Sequence, residues 1–130
     1  MKYLLDVNVL IAYGYRRHGF HDRVGGWIQT QAGCPLLTCS ITELGFVRVL
    51  GNIRTYGINV SQARTLLVDL KSRPILPLRF IPDTNDLSSL PEWVNSPAQV
   101  TDGFLSQLAK AHGALLATLD KGIPGSFLIP

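Results

Sequence analysis

Residues 1–13, MKYLLDVNVLIAY, decide how the chain folds, because a short apolar run in them is followed at once by an aspartate. Lys2–Leu5 is predicted to be a buried β-strand that stops at Asp6. Asp6 and Asn8 are unexpected in this run, since an isolated carboxylate is costly to desolvate unless it is paired or holds a metal ion. The stretch therefore predicts a strand that ends at a functional position.

Beyond this stretch, predicted strands and helices alternate through a single domain, residues 1–130. Further strands are predicted at Pro35–Thr38, Arg73–Phe80 (an edge strand or extended segment), Ala114–Leu119 and Ser126–Ile129. Helices are predicted over Asn8–Tyr15 and His21–Gln31, from Ser40, from Ser61, and from a cap at or near Thr101 to a stop at Gly113. Pro82–Val100 is expected to be a loop with one helical turn near Asp86–Leu90. This alternation predicts an α/β fold, with a parallel sheet covered by helices on both faces.

Composition indicates a folded domain with a mildly basic surface. Apolar residues make up 46% of the chain, and no apolar stretch reaches the roughly 18 residues of a membrane span. The start of the chain does not resemble a signal peptide, so we expect a cytoplasmic protein whose Cys34 and Cys39 are thiols. Twelve basic residues against nine acids give a net charge of +3 and a pI near 9.1. Such a surface suits nucleic acid, although an ordinary soluble domain can carry the same excess.

Four acids are expected at one edge of the predicted sheet. Asp6 and Asp120 each follow a strand, while Glu43 and Asp102 each stand in the first turn of a helix. Strand carboxyl ends and helix amino ends share one edge of an α/β sheet, which is where ligands usually bind. Four close carboxylates repel one another unless a cation lies among them, and oxygen ligands select Mg²⁺ or Mn²⁺.

Each of these acids also has a purely structural interpretation. Ser40 to Glu43 matches a capping box, in which Glu43 only completes the start of its own helix. Asp102 could be a helix cap or an acid favoured by the helix dipole, and Asp120 could be a turn residue before Lys121 and Gly122. Asp6 is the hardest to explain in this way, because it interrupts a buried segment.

Three segments together carry a family resemblance: LLDVNVLIA, SITELGFVRVL and QVTDGFLSQLAKAHGALLATLDKG. In this order and spacing the chain resembles the PIN domain, and within it the VapC-type ribonuclease toxins of toxin–antitoxin pairs. The resemblance implies a three-layer α/β/α sandwich with a central parallel sheet and a metal-dependent endoribonuclease. It also implies a homodimer, an RNA substrate and a small inhibitory antitoxin protein.

The resemblance also implies roles for particular residues. Asp6 and Asp102 would be the main ligands of Mg²⁺ or Mn²⁺. Glu43 would complete the shell or orient a water, and Asp120 would complete the shell or position a second ion. Supporting polar groups would come from Asn8, Thr101 and Thr118. The chain departs from the family at Gly103, where alanine commonly follows the aspartate.

Four further interpretations complete the sequence hypotheses. Arg16 and Arg17 follow the first motif and could contact RNA or the antitoxin. Trp93 could stack on a base or cover the core beneath a loop. The main rival to an active nuclease is a catalytically silent PIN-fold module that binds RNA or protein. A phosphatase of the haloacid-dehalogenase type is disfavoured, because its second acid is replaced by Asn8.

Overall fold

The structure is a computed structural model that describes residues 1–74 and 76–130, and in this part of the chain one five-stranded sheet is present. Its strands run in the order β3-β2-β1-β4-β5, and every neighbouring pair is parallel. The strands are β1 (Lys2–Leu5), β2 (Leu36–Thr38), β3 (Leu78–Phe80), β4 (Ala114–Thr118) and β5 (Phe127–Leu128).

Helices connect these strands and cover both faces of the sheet. They are α1 (Val7–Gly14), α2 (His21–Gln29), α3 (Ser40–Leu50), α4 (Ile53–Tyr56), α5 (Val60–Lys71) and α6 (Val100–Ala111), with one-turn 3-10 helices at Leu87–Ser89 and Pro97–Gln99. Every predicted strand and helix has a counterpart in this set. The structure adds α4 and the turn at Pro97–Gln99, which the sequence pattern did not reveal.

Alternation along β1 divides the core into two layers. Tyr3 and Leu5 pack with α1, α2, α3 and α5 on one face, whereas Leu4 packs with α6 on the other face. Side chains that alternate between two buried faces are typical of a parallel sheet between helical layers. The predicted three-layer α/β/α fold is confirmed.

Most boundaries shift by one or two residues from prediction, and two further differences concern β3 and the start of α6. Within the extended segment predicted at Arg73–Phe80, only Leu78–Phe80 forms a strand, at the predicted edge position, and residue 75 lies outside the described residues. Thr101 does not cap α6, because the 3-10 turn at Pro97–Gln99 already leads the backbone into the helix, so that Thr101 lies within the first turn. Gly113 follows the end of α6 with a φ of +67°, as expected of a glycine stop.

The described residues also agree with two expectations from composition. Cys34 and Cys39 are free thiols, and Cys39 is buried. None of the described helices has both the length and the apolar character needed to cross a membrane.

The strand order creates a switch point beside β1. The chain moves outward from β1 to β2 and β3, and then returns to the other side of β1 with β4. In an open α/β sheet of this kind, ligands bind at the carboxyl ends of the strands that flank such a point. Leu5 pairs with Ala117 across the β1–β4 ladder, so the next residues, Asp6 and Thr118, stand side by side at this edge.

Candidate active site

Asp6 lies at the carboxyl end of β1 and begins α1. Its backbone N–H donates to the carbonyl of Ala117, and its Oδ1 accepts a hydrogen bond of 2.8 Å from the N–H of Val7. The residue is only 7% exposed. This burial raises the pKa of the Asp6 carboxyl above its ordinary value, and the charge of Asp120 adds to the rise. Hydrogen bonds from Thr118 and Val7 oppose the rise but do not cancel it.

Thr118 connects Asp6 to Asp120. The Thr118 hydroxyl donates to Oδ2 of Asp6 at 2.8 Å and accepts from the N–H of Asp120 at 3.0 Å. Oδ1 of Asp120 accepts from the N–H of Gly122 at 2.8 Å, so the turn role considered for Asp120 is real. Asp120 is exposed, and its turn orients one oxygen without removing the side chain from the edge of the sheet.

Asp102 stands in the first turn of α6 and faces the same region. Partial burial raises the pKa of its carboxyl, and the negative charges of Asp6 and Asp120 raise it further. Asp6, Asp102 and Asp120 therefore interact as like charges, and we call them the aspartate group. The charges of Asp6 and Asp120 both act on Asp102, so the three predicted residues lie in one region of the sheet edge.

Glu43 has a different environment. The capping-box interpretation is wrong, because the start of α3 is closed by Thr42, whose Oγ1 accepts from the N–H of Cys39 at 3.0 Å. Glu43 instead points to the sheet edge, where its Oε2 accepts from the hydroxyl of Thr38 at 2.6 Å. The Nζ atom of Lys71 lies 2.9 Å from Oε1 and 2.8 Å from Oε2 of Glu43. We call Glu43 and Lys71 the Glu43–Lys71 pair.

The donor chemistry of this edge fits a hard divalent cation. All four predicted acids offer carboxylate oxygens, and the mutual repulsion in the aspartate group is what a cation would relieve. In their present conformations, however, no three His, Cys, Asp or Glu side chains of residues 1–74 and 76–130 are arranged to hold a metal ion. Glu43 would have to leave Lys71 to join the aspartates.

The supporting residues predicted from sequence lie in different surroundings. Thr118 is fully buried against the aspartate group, whereas Asn8 and Thr101 are exposed in the first turns of α1 and α6. Arg16 and Arg17 are exposed just after α1, beside a cavity of about 440 Å³. Trp93 is partly buried and packs against the core below the loop that precedes α6, as the covering interpretation predicted.

Sequence reasoning missed Thr38 and Lys71. Thr38 had a detectable signal, because it ends an apolar strand, as does Thr118, and both hydroxyls donate to a carboxylate at the sheet edge. Lys71 had no detectable signal in the sequence, since it is the last residue of α5 and contacts Glu43, which lies 28 positions earlier in the chain.

Close packing explains the glycine at position 103, where the chain departs from the family pattern. A β-carbon at position 103 would overlap Cγ2 of Val94, and Pro91 lies nearby. The turn Pro91–Val94 is closed by the Val94 N–H, which donates to the carbonyl of Pro91 at 3.1 Å. The absent side chain lets this turn pack directly on the first turn of α6, beside Asp102.

Fold and site together define a class: a three-layer α/β domain with acidic side chains at the carboxyl edge of a parallel sheet. The chain belongs to the PIN domain family, whose model matches residues 3–124. Among curated proteins of Mycobacterium tuberculosis, Ribonuclease VapC38 is 38% identical over 92% of this chain and 86% of its own. Ribonuclease VapC44 is 37% identical over 95% and 89%, respectively. The predicted resemblance is confirmed.

Solved structures share the fold at lower identity. VapBC2 from Rickettsia felis, bound to a DNA fragment from its promoter, has a TM-score of 0.67 and 17% identity, covering 98% of this chain and 97% of that chain. FitAB bound to the IR36 DNA fragment has a TM-score of 0.57 and 21% identity, covering 93% and 87%.

Proposed function

We propose that this protein is a metal-dependent endoribonuclease, the toxin of a type II toxin–antitoxin pair, acting on RNA in the cytoplasm. The observation that carries the proposal is the aspartate group, three like charges at the switch point of the sheet with no ammonium or guanidinium ion-paired to them within the described residues. Relatives named as VapC ribonucleases, at 36 to 38% identity over most of the chain, support the same activity.

The chain's own residues would divide the work at the sheet edge. Asp6 and Asp102 would hold Mg²⁺ or Mn²⁺, Glu43 would complete the shell or orient a water, and Asp120 would complete the shell or position a second ion. A divalent cation held by carboxylates polarises a phosphodiester and makes water acidic enough to attack it at neutral pH. Thr118 fixes the orientation of Asp6 through Oδ2. Asn8 and Thr101 stand at the adjacent helix starts as candidate supporting groups.

The basic exterior would guide RNA to this edge. Arg16 and Arg17 are exposed and form part of the cavity wall with Tyr15 and Tyr56. If both arginines contact phosphates, replacing them with alanine should reduce the slope of log Kd against log salt by about 1.4 for single-stranded RNA. An unchanged slope would remove them from the RNA path and leave the antitoxin as their candidate partner.

We also propose a homodimer formed by the face that carries α3 and α5. An apolar groove of about 500 Å³ lies there between Leu44, Val47, Leu67, Val68 and Phe80. Leu44 is 69% exposed and Val68 is 61% exposed. A contiguous apolar patch on two adjacent helices suits the self-complementary contact of a two-fold dimer. The solved complexes VapBC2 and FitAB support a separate small antitoxin as a second partner.

One observation favours the alternative of a catalytically silent PIN-fold module that binds RNA or protein. Glu43 is ion-paired with Lys71, and among the described residues the acids are not assembled around a common point. A silent module would retain this arrangement permanently, whereas an active nuclease would rearrange it when a metal ion binds.

Mapping of new RNA 5′ ends after induction in cells tests the proposal, with the Asp102→Asn variant beside the wild type. New 5′-phosphate ends in the wild type alone would support a ribonuclease and identify its substrate. Identical maps would favour the silent module. Incubation of the purified protein with the host's total RNA and Mn²⁺, with and without EDTA, separates a silent protein from one whose target was absent in the cells used.

A further inference from the structure

Lys71 is held at the sheet edge by several contacts. Its Nζ lies within 3 Å of both carboxylate oxygens of Glu43, at 2.9 and 2.8 Å, and 5.4 Å from the centroid of the Phe80 ring. The two side chains of the Glu43–Lys71 pair are 32% exposed for Lys71 and 16% exposed for Glu43. Among residues 1–74 and 76–130 this is the one salt bridge between side chains. The ammonium is therefore a well-placed partner of Glu43 and not a mobile surface charge.

This pairing removes Glu43 from the other acids. Both of its oxygens contact the ammonium, and Oε2 also accepts from Thr38. Among residues 1–74 and 76–130, Glu43 does not form with the aspartates a group of three acids that could hold a metal ion. A divalent cation that recruits Glu43 must displace the Lys71 ammonium, because two cations at one carboxylate repel each other.

We propose that Lys71 competes with the divalent cation for Glu43 and thereby sets the metal affinity of the site. Lys71 is in this view a positioning residue that acts through Glu43. The inference rests on the proposed metal-dependent function and adds to it an internal cation that opposes metal binding.

The test is Mn²⁺ binding to the purified full chain without RNA, measured by electron paramagnetic resonance of free Mn²⁺ and by calorimetry. Lys71→Met retains the aliphatic stem and removes the charge, so the Kd for Mn²⁺ should fall by about tenfold. Lys110→Met removes an equal charge from an exposed position in the last turn of α6, and its Kd should change by less than about twofold. Lys71→Arg should retain the wild-type Kd.

A cycle with Glu43→Gln tests whether the effect passes through Glu43. In the Glu43→Gln background, Lys71→Met should not change the Kd for Mn²⁺ further, because the carboxylate for which Lys71 competes is already absent. Lys71→Gln provides a second neutral variant in case methionine disturbs folding. A purely structural role of Lys71 predicts lower thermal stability without tighter metal binding, which would contradict the competition.

The outcomes separate this inference from the proposed function. If the wild type binds Mn²⁺ through Asp102 but Lys71→Met leaves the Kd unchanged or raises it, the competition is wrong and the metal site stands. If neither the wild type nor any Lys71 variant binds Mn²⁺, both proposals fall. If Lys71→Met alone gains binding, the competition is supported and the silent behaviour of the wild type is explained.

Discussion

The two sides of the carboxyl edge deal with negative charge in opposite ways. On the side of β1, β4 and α6, burial and neighbouring negative charges raise the pKa values of Asp6 and Asp102 within the aspartate group. On the side of β2, β3 and α5, the carboxylate of Glu43 is ion-paired with Lys71 and accepts a hydrogen bond from Thr38. Among residues 1–74 and 76–130, a lysine is ion-paired to Glu43, whereas no basic side chain is ion-paired to the aspartate group.

The largest expected effect comes from a substitution in the aspartate group. Asp102→Asn should reduce RNA cleavage to the level of EDTA-treated wild type, because the amide cannot replace an anionic ligand. It should also abolish any rise in thermal midpoint caused by Mn²⁺. The measurements are cleavage of labelled RNA and thermal unfolding with and without Mn²⁺.

Asp69→Asn is the matched control, since Asp69 is an exposed acid on α5 outside the aspartate group. Full metal-dependent cleavage by Asp102→Asn would show that the aspartate group is not the catalytic centre.

The next prediction concerns the groove that borders Glu43. Leu44→Glu places a charge in the proposed dimer face and should weaken dimerisation by at least about 30-fold, or about 2 kcal/mol. Light scattering after size exclusion should then report a monomer at micromolar concentration. Leu87→Glu is the control, because Leu87 is 68% exposed, almost equal to Leu44, and lies in a 3-10 turn outside the groove. Equal dissociation of both variants, or a monomeric wild type, would exclude this face.

The packing beside Asp102 gives a smaller effect. Gly103→Ala should lower the free energy of unfolding by about 1–3 kcal/mol, because the new methyl group overlaps Val94, even though alanine favours a helix by about 1 kcal/mol. Gly26→Ala in α2 meets open space and should be neutral or stabilising.

Urea unfolding of both glycine variants, and of Gly103→Ala with Val94→Ala, measures these effects. Recovery of stability in the double variant would locate the strain at this contact. A stabilising Gly103→Ala would show that the turn moves freely away from α6.

The smallest effect concerns the cost of burying Asp6 without metal. Since its pKa is raised in the folded state, protonation favours folding, and stability is lost as pH rises from about 4 through the raised value. Asp6→Asn retains an oxygen for capping and should gain about 1 kcal/mol at pH 7 in EDTA, with no gain near pH 3. Chemical unfolding at several pH values checks this, and a loss of stability at pH 7 would contradict it.

The sequence could place Asp6, Asp102 and Asp120 near one edge of the sheet for a physical reason. Asp6, Asp102 and Asp120 stand next to strand ends or helix starts, and parallel topology alone brings such positions to one edge. The Glu43–Lys71 pair could not be predicted, because it depends on where the last turn of α5 docks. The short helix α4 was missed although Asn52 caps it and Gly57 ends it with a φ of +73°, because four residues carry no periodic pattern.

The contact between Gly103 and the turn Pro91–Val94 has a consequence for exchanging parts between relatives. The turn and the helix start fit only as a matched set, so a chimaera that receives the segment 82–99 from a homologue must also receive that homologue's residue 103. A graft that ignores this pairing would displace the first turn of α6 and with it Asp102. A new segment at 82–99 can therefore be transferred only together with residue 103 of α6.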